Sequence, residues 1–298
     1  MIYKNWMSYI KDEVLFSRLA IPGAHNAGSC GMSPMACCQS GGLYEQFCHG
    51  VRYFCIRLNT KKNRIVMSHG ISAGEDFELS LADMKKMLDE NDSEFFIFDI
   101  REYYNQKFGP LTLRYKAEPS VLDELLEKYI EPSKFALCDF EDITKLTMGD
   151  LRSSGKRYLL HSYNQSYKYS VNCKNIFPWE KMLYGSHAKD FAADAHTMFR
   201  QWQEDALFWY QTQQTPNLGT AVGVSTPKQL DTELRVHYRS LISKIAEDRS
   251  LLDKVNVVAG DFMSLDYLKS REILRLNLLK DAVQGDLIAE YSKGLIED

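Results

Sequence analysis

Residues 80–101 read SLADMKKMLDENDSEFFIFDIR, and this stretch indicates the fold. Ser80 followed by Asp83 matches a capping box at the start of a helix, and apolar residues then recur at helical spacing as far as Leu88. The run Phe95–Ile100 is apolar and aromatic, with the length of a buried strand. A helix that leads directly into a buried strand is the crossover unit of a parallel α/β sheet.

The same alternation of short apolar runs with helical segments extends along the chain. Thr226 before Pro227, for example, predicts a helix that begins shortly before the last strand. The pattern favours a (β/α) TIM barrel, with an open doubly wound sheet as the alternative. The sequence has no Gly-rich phosphate loop at the start of a helix, and this weakens the alternative. The predicted strands are Ser17–Ile21, Val51–Leu58, Arg64–Ser68, Phe95–Ile100, Arg157–Ser162, Ala206–Gln211 and Asn256–Asp261, with an eighth near Met182–Tyr184.

Composition and charge narrow the class of protein. The chain has 298 residues, 45% of them hydrophobic, which is typical of a globular protein. No Pro/Gly/Ser-rich linker divides it, so we expect one domain over residues 1–298. With 36 Lys and Arg against 40 Asp and Glu, the net charge of −4 argues against a nucleic-acid partner. Nothing in the sequence indicates an obligate protein partner.

The cysteines and the N-terminal residues indicate the cellular compartment of the protein. None of the spacings among the seven cysteines is that of a zinc site, and free thiols in a reducing compartment are the first interpretation. A disulfide within the Cys30–Cys48 cluster is the alternative if the protein is exported. Because the N-terminal residues do not resemble a signal peptide, we expect a cytoplasmic protein, or a secreted one if Met1 follows a leader that has been removed.

Polar residues collect where the predicted strands end. Reactive groups of a parallel barrel lie at the carboxyl ends of its strands, so these residues are candidates for a site. Side chains alternate across a strand, so Cys55 and Arg57 share the face opposite Ile56. The first and last strands of a barrel are neighbours, which predicts that Asp261 lies beside His25. The full set of candidates is His25, Asn26, Cys55, Arg57, His69, Asp99, Arg101 and Asp261.

Two histidines beside an arginine suit the cleavage of a phosphodiester. One histidine takes a proton from the nucleophile, the other gives a proton to the leaving oxygen, and the guanidinium stabilises charge on the phosphate. Each residue also has a simpler interpretation. Arg101 can form a structural ion pair with Asp99, Asp261 can cap a helix from Phe262, and His161 we assign a structural role.

Cys55 has two interpretations of its own. A thiol near Arg57 is a candidate nucleophile, paired with one of the two histidines. We prefer the view that Cys55 fills space, because a thiol mechanism would leave the second histidine and the arginines without a role.

Several segments together resemble the X-domain of phosphatidylinositol-specific phospholipase C. The resemblance spans Trp6 to Asn277 and is greatest to the small metal-independent X-domain proteins, in which a Trp-Met pair precedes the IPG-x-H segment. The matching segments, in chain order, are IPGAHNAG, YEQFCHGVRYFCIRL, SHG, EFFIFDIREYY, LTMGDLRSSGKRYLL, FWYQTQQTPN and NVVAGDF.

The resemblance implies a distorted TIM barrel and specific catalytic roles. His25 would be the base that activates the inositol 2-hydroxyl, and His69 the acid that protonates the departing diacylglycerol oxygen. Arg57 would hold the phosphate, and the product would be a cyclic inositol phosphate. Arg101 matches a family lysine that touches the inositol.

The chain departs from the family at two positions. Asn26 and Cys55 stand where bacterial members carry aspartates, and the calcium-dependent enzymes need acidic ligands at the positions of Cys55 and Arg57. A calcium site needs several oxygen ligands, so we expect no metal and no other cofactor. Asp99 and Asp261 are candidates to replace the missing carboxylates.

The substrate predicted from these features is an inositol phospholipid, with plain phosphatidylinositol as the default. Two alternatives remain: a catalytically impaired X-domain that binds inositol lipids or inositol phosphates, and a glycerophosphodiester phosphodiesterase. The second needs an acidic metal cluster after its first histidine, which residues 25–31 lack. Residues 177–184, with Trp179 and Tyr184, are a candidate for transient contact with a membrane surface.

Overall fold

The structure is a computed structural model that describes residues 2–102, 105–138, 143–162, 167–172, 175–176, 206–214 and 225–285. Its strands are β1 (Ile21–Ala24), β2 (Tyr53–Lys61), β3 (Arg64–His69), β4 (Ser72–Asp76), β5 (Phe96–Glu102), β6 (Gln106–Phe108), β7 (Leu111–Arg114), β8 (Tyr158–His161), β9 (Asn175–Ile176), β10 (Leu207–Gln211) and β11 (Val255–Gly260). Its helices are α1 (Leu43–Cys48), α2 (Phe77–Glu90), α3 (Pro119–Ile130), α4 (Pro132–Phe135), α5 (Met148–Ser154), α6 (Pro227–Glu247), α7 (Arg249–Lys254) and α8 (Leu268–Leu279).

A central sheet of parallel strands organises the fold. The order β9-β10-β11-β1-β2-β5-β8 is parallel throughout, with helices in the connections between strands. The first strand lies beside the last, with Ala24 next to Gly260. In the part of the chain that the structure describes, the sheet is open between β8 and β9. This arrangement confirms the α/β class and the barrel type of sheet.

The prediction of a parallel barrel strand at Arg64–Ser68 is wrong. This segment is β3, which pairs antiparallel with β2 and carries β4 on its other edge. The connection between β2 and β3 is Lys62-Asn63, with φ angles of 48° and 62°. A two-residue turn with both φ angles positive reverses the chain and joins only antiparallel strands. The hairpin therefore extends the sheet outside the parallel order and brings His69 back toward β2.

Most element boundaries lie close to the predictions, and the starts of β1 and α2 differ most. The first strand starts at Ile21, because residues 16–18 form a 3₁₀ turn whose Phe16 amide bonds the carbonyl of Leu146. Helix α2 starts at Phe77, where the Asp76 side chain accepts from the Glu78 amide. The other helix start is confirmed: Thr226 and a residue three positions later form a capping box, with Pro227 in the first turn. The predicted strand Met182–Tyr184 lies outside the described residues.

The core has two layers, as the alternation of side chains predicts. Ile56 and Ile100 belong to the outer layer, which also contains helix residues such as Met84. Cys55 points inside, into a cluster that includes Trp209. None of the described helices is long and apolar enough to cross a membrane.

Gly23 in β1 allows side chains of the neighbouring strands β2 and β11 to pack closely against β1. A β-carbon at this position would lie 2.8 Å from a ring carbon of Tyr53 and 3.0 Å from a methyl group of Val257. A larger residue would push β1 away from β2 and β11. The glycine therefore keeps the next residues, including His25, close to both neighbouring strands.

Candidate active site

His25 and Asp261 form a buried pair just beyond the ends of β1 and β11. Nδ1 of His25 lies 2.7 Å from Oδ1 of Asp261, and the two residues are 6% and 3% exposed. The amide of His25 also donates to the carbonyl of Gly260 at 3.0 Å. The alternative interpretation of Asp261 as a helix cap is wrong, because α8 begins at Leu268 with Tyr267 at its N-cap. The carboxylate instead faces the imidazole.

Arg57 occupies the other side of the same imidazole. Its Nη2 lies 3.2 Å from Nε2 of His25. Because a guanidinium only donates, Nε2 must accept, and the ring proton is assigned to Nδ1, where it bonds Asp261. Burial, followed by the charges of Arg57 and Arg101, lowers the pKa of His25 well below 6.5. His25 is therefore a neutral imidazole with its lone pair directed at Arg57.

Lys269 and Asp231 form a buried ion pair behind Asp261, and the lysine contacts the main chain of Asp261. Burial and then the charge of Asp231 raise the pKa of Asp261 above its usual value, against the opposing charge of Lys269. Lys269, itself buried, donates to the main-chain carbonyl of Asp261 at 2.7 Å and pairs with Asp231. The lysine and its partner come from helices α8 and α6, which pack outside the sheet.

His69 lies at the end of β3, across from His25. The two ring centroids are 6.3 Å apart and the rings are nearly perpendicular, at 85°. Nδ1 of His69 donates to the carbonyl of Ala36 at 2.8 Å, which leaves Nε2 as the nitrogen that can accept or release a proton. Burial, then the charge of Arg57, lowers its pKa to about 4. The unbound site therefore holds two neutral histidines beside one guanidinium.

The loop from residue 27 to residue 42 closes over these groups and contains two site residues that the sequence analysis missed. Gln39 donates to the carbonyls of His25 and Gly260 at 2.7 and 3.0 Å, and it accepts from the amide of Met263. Cys38 places its Sγ 3.7 Å from Nδ1 of His69. A loop has no periodic pattern that reveals which of its side chains point inward.

Asn26 and Cys55, the two departures from the family pattern, are both buried. Asn26 has a positive φ of 44°, which asparagine tolerates better than most residues. Its side-chain nitrogen contacts Sγ of Cys38 at 3.6 Å. Cys55 has no exposed surface and belongs to the interior cluster. Among the described residues, the cysteine found beside a histidine ring is Cys38, and that weakens the idea of Cys55 as a nucleophile.

Asp99 anchors Arg101 from below the site. Its Oδ2 accepts from Arg101 at 2.6 Å and from the Tyr53 hydroxyl at 2.7 Å, and its Oδ1 lies 2.9 Å from Nδ1 of His161. Burial opposes ionisation, but the charge of Arg101 and the bond from His161 outweigh it and lower the pKa of Asp99. Asp99 is fully buried and holds the guanidinium of Arg101, whose charge also acts on His25.

The described cysteines, which exclude Cys173, are all free thiols. The pairs within the Cys30–Cys48 cluster are therefore not bonded in this structure. Cys30 and Cys37 bond nearby main-chain carbonyls, those of Ser40 and Gln39.

Comparisons with known proteins identify the fold. No protein-family model matches the sequence. The phosphatidylinositol-specific phospholipase C of Listeria monocytogenes superposes with a TM-score of 0.66 at 19% identity, covering 92% of this chain and 98% of that one. A variant of the Staphylococcus aureus enzyme of the same name gives a TM-score of 0.65 at 16% identity, covering 92% and 97%. Another structure of the S. aureus enzyme, from work on the modulation of its membrane binding, superposes with a TM-score of 0.62 at 16% identity. It covers 92% of this chain and 97% of that one.

These similarities confirm the distorted TIM-barrel fold of the bacterial phospholipases. At such low identities they establish the fold alone. Membership of the X-domain family stays a prediction from the sequence motifs.

Proposed function

We propose that this protein is a phosphodiesterase of the phospholipase C type, which cleaves phosphatidylinositol lipids to diacylglycerol and a cyclic inositol phosphate. The observation that carries the proposal is the contact of Arg57 with Nε2 of His25, whose Nδ1 is held by Asp261. A base, a cation and a second histidine thus meet in one place at the end of the sheet. This is the set of groups that an intramolecular attack on a phosphodiester requires.

In the first step His25 acts as the general base. Nε2 takes the proton of the inositol 2-hydroxyl as that oxygen forms a bond to phosphorus. The Nδ1–H bond to Asp261 keeps the ring in the required tautomer and stabilises the imidazolium that forms. Arg57 donates to the non-bridging phosphate oxygens, where negative charge increases as the nucleophile adds.

His69 supplies the proton for the leaving group. The bond from phosphorus to the diacylglycerol oxygen breaks, and Nε2 of His69 protonates that oxygen. Since its pKa in the unbound protein is about 4, His69 is neutral before substrate binds. The negative phosphodiester offsets the charge of Arg57 and raises that pKa. Substrate binding thereby generates the acid that the reaction needs.

Arg57 also accounts for the expectation that activity needs no metal ion. In this proposal its guanidinium supplies the positive charge beside the phosphate that a metal would otherwise supply. Arg101, anchored by Asp99, is assigned to the inositol hydroxyls.

A cluster of exposed apolar side chains near the site is proposed to contact the lipid surface. We call it the apolar rim: Met35, Ile71, Leu111, Leu113 and Tyr115, which are 47%, 71%, 61%, 41% and 60% exposed. Hydrogen bonds connect its parts. Arg114 donates to the carbonyl of Ile71, Ser72 contacts Ser33 near Met35, and Tyr115 pairs with Thr60.

The charge beside the apolar rim suits the same partner. Lys61 and Lys62 form the exposed tip of the β2–β3 hairpin, next to the bridge between Thr60 and Tyr115. Apolar side chains flanked by lysines are typical of surfaces that lie in a lipid interface. The other candidate, residues 177–184, lies outside the described residues.

The test is product release from vesicles. Purified protein with phosphatidylinositol vesicles and excess EDTA should release a cyclic inositol phosphate, detected by ³¹P NMR, and His25→Ala should release almost none. Binding to the vesicles without turnover would instead support the alternative of a lipid-binding module. Activity that EDTA abolishes and calcium restores would contradict the proposed role of Arg57.

A further inference from the structure

Cys38 meets two groups of the proposed reaction, His25 and Asp261, and the three side chains carry different donor atoms. Ligand atoms of His25, Cys38 and Asp261 all lie within 4.8 Å of one another, and all three residues are buried. The reaction proposed above uses the imidazole and the carboxylate but has no role for the thiol. Cys38 is brought here by the loop, whose Gln39 clamps the ends of β1 and β11.

The donor set has a definite metal preference. A thiolate sulfur, an imidazole nitrogen and a carboxylate oxygen are the ligands that Zn²⁺ takes in proteins, often three of them with a fourth position open. Calcium and magnesium prefer sites made of oxygen atoms, so this cluster does not suit them. His69 is close to the same sulfur, at 3.7 Å from its Nδ1.

A separate observation also points to a ligand. Asn26 is only 2% exposed, and its side-chain oxygen has no hydrogen-bond partner. The nitrogen of the same amide contacts Sγ of Cys38 at 3.6 Å. A buried polar atom without a partner is costly, because it has given up its hydrogen bonds to water. A cation or a cation-bound water beside Cys38 would provide the missing partner.

We propose that His25, Cys38 and Asp261 bind Zn²⁺ and that the bound ion inhibits the protein. On binding, the thiol releases its proton to solvent and its sulfur coordinates the ion, together with one nitrogen of His25 and an oxygen of Asp261. The ion breaks the hydrogen bond between the imidazole and the carboxylate, so His25 cannot act as a base. The inhibition rests on the proposed function, whereas the metal binding does not.

Metal binding is tested with Co²⁺, which takes the same ligands and has a visible spectrum. The full chain, first freed of metal with a chelator, is titrated with Co²⁺ and then with Zn²⁺. We expect one equivalent to produce a sulfur-to-cobalt charge-transfer band, which Zn²⁺ then removes. Cys38→Ser should lack that band, and Cys55→Ser, which alters another buried cysteine, should keep it. A band that survives in Cys38→Ser, or no band in the wild type, would overturn the site.

Inhibition is tested on the vesicle assay, with each variant compared with its own metal-free rate. We expect the Zn²⁺ concentration for half inhibition to rise at least about tenfold in Cys38→Ser and to stay unchanged in Cys55→Ser. Circular dichroism of both variants shows that they are folded. A charge-transfer band in a protein without any turnover would sink the proposed function and leave the metal site. Turnover that Zn²⁺ inhibits equally in both variants would overturn inhibition through Cys38 and leave the proposed function intact.

Discussion

Nη2 of Arg57 lies 3.2 Å from Nε2 of His25, so the charge proposed to hold the phosphate also sets the protonation of the proposed base. A guanidinium at this distance prevents Nε2 from taking a proton before substrate arrives. A phosphodiester that binds Arg57 would draw its hydrogen bonds away and leave the imidazole lone pair for the inositol hydroxyl. In the proposed reaction, the base and the phosphate-binding group would therefore act as one unit.

The two histidines are predicted to carry the proton transfers. Replacing His25 or His69 with Ala should lower kcat by about 10²–10⁴, because each variant loses one general acid or base. Product release from vesicles gives the rates. The exposed His237, on the outer helix α6, provides the control, and His237→Ala should behave as the wild type. Full activity in both site variants would remove the acid–base assignment.

Arg57→Lys should reduce kcat more than it raises KM. Lysine keeps the charge but lacks the planar pair of donors, and the contact gains most of its strength as charge develops on the phosphate oxygens. Steady-state kinetics on a short-chain soluble substrate separate the two constants. Constants equal to those of the wild type would mean that the phosphate binds elsewhere.

The pH profile should reveal the coupling between substrate and His69. The proposed reaction needs His25 neutral and His69 protonated, and the pKa of unbound His69 is about 4. The constant kcat/KM reports the unbound protein, so it should fall as the pH rises from the acid side. In the proposed complex the bound phosphodiester would raise the pKa of His69, which should move the alkaline limb of kcat to higher pH. Alkaline limbs at the same pH for both constants would contradict this coupling.

Asp99→Asn should be strongly destabilising, by about 3–5 kcal/mol, because it leaves the buried side of Arg101 without its counter-charge. Urea unfolding gives the free energy. The exposed Asp89, paired with Lys85, is the control, and Asp89→Asn should cost less than about 1 kcal/mol.

The same residue gives a pH dependence of stability. The pKa of Asp99 is lowered in the folded state, so its ionised form stabilises the fold above the unfolded value of 3.8. This stabilisation is lost as the pH falls below that value. The difference between wild type and Asp99→Asn should therefore shrink in acid, and a difference independent of pH would show that the carboxylate charge is not responsible.

Replacing Leu111 and Leu113 together with Ser should weaken vesicle binding about tenfold or more, since each leucine loses apolar area that the lipid would bury. Sedimentation with the vesicles measures the binding. Val236, 78% exposed on helix α6, is the control for the loss of an exposed apolar side chain. Turnover of a soluble short-chain substrate should not change. Vesicle binding equal to that of the wild type would exclude the apolar rim as the lipid contact.

Much of the fold follows from local patterns in the sequence. Alternating apolar runs and helical segments predicted most of the parallel strands, because burial on both faces leaves a continuous apolar run. The pleat predicted which side Cys55 and Arg57 share. The rule that the first and last strands of a barrel are neighbours predicted the pairing of His25 with Asp261, although 236 positions separate them in the sequence.

The tertiary structure decided what these patterns do not encode. A run of apolar residues does not specify the direction of a strand, and for β3 the two-residue turn at Lys62-Asn63 decided it. The contacts of Cys38, Gln39 and Lys269 come from a loop and a helix that are brought to the ends of β1 and β11 by the packing of the whole chain. Periodicity reports how a segment faces the core, whereas these contacts depend on which distant segments pack together.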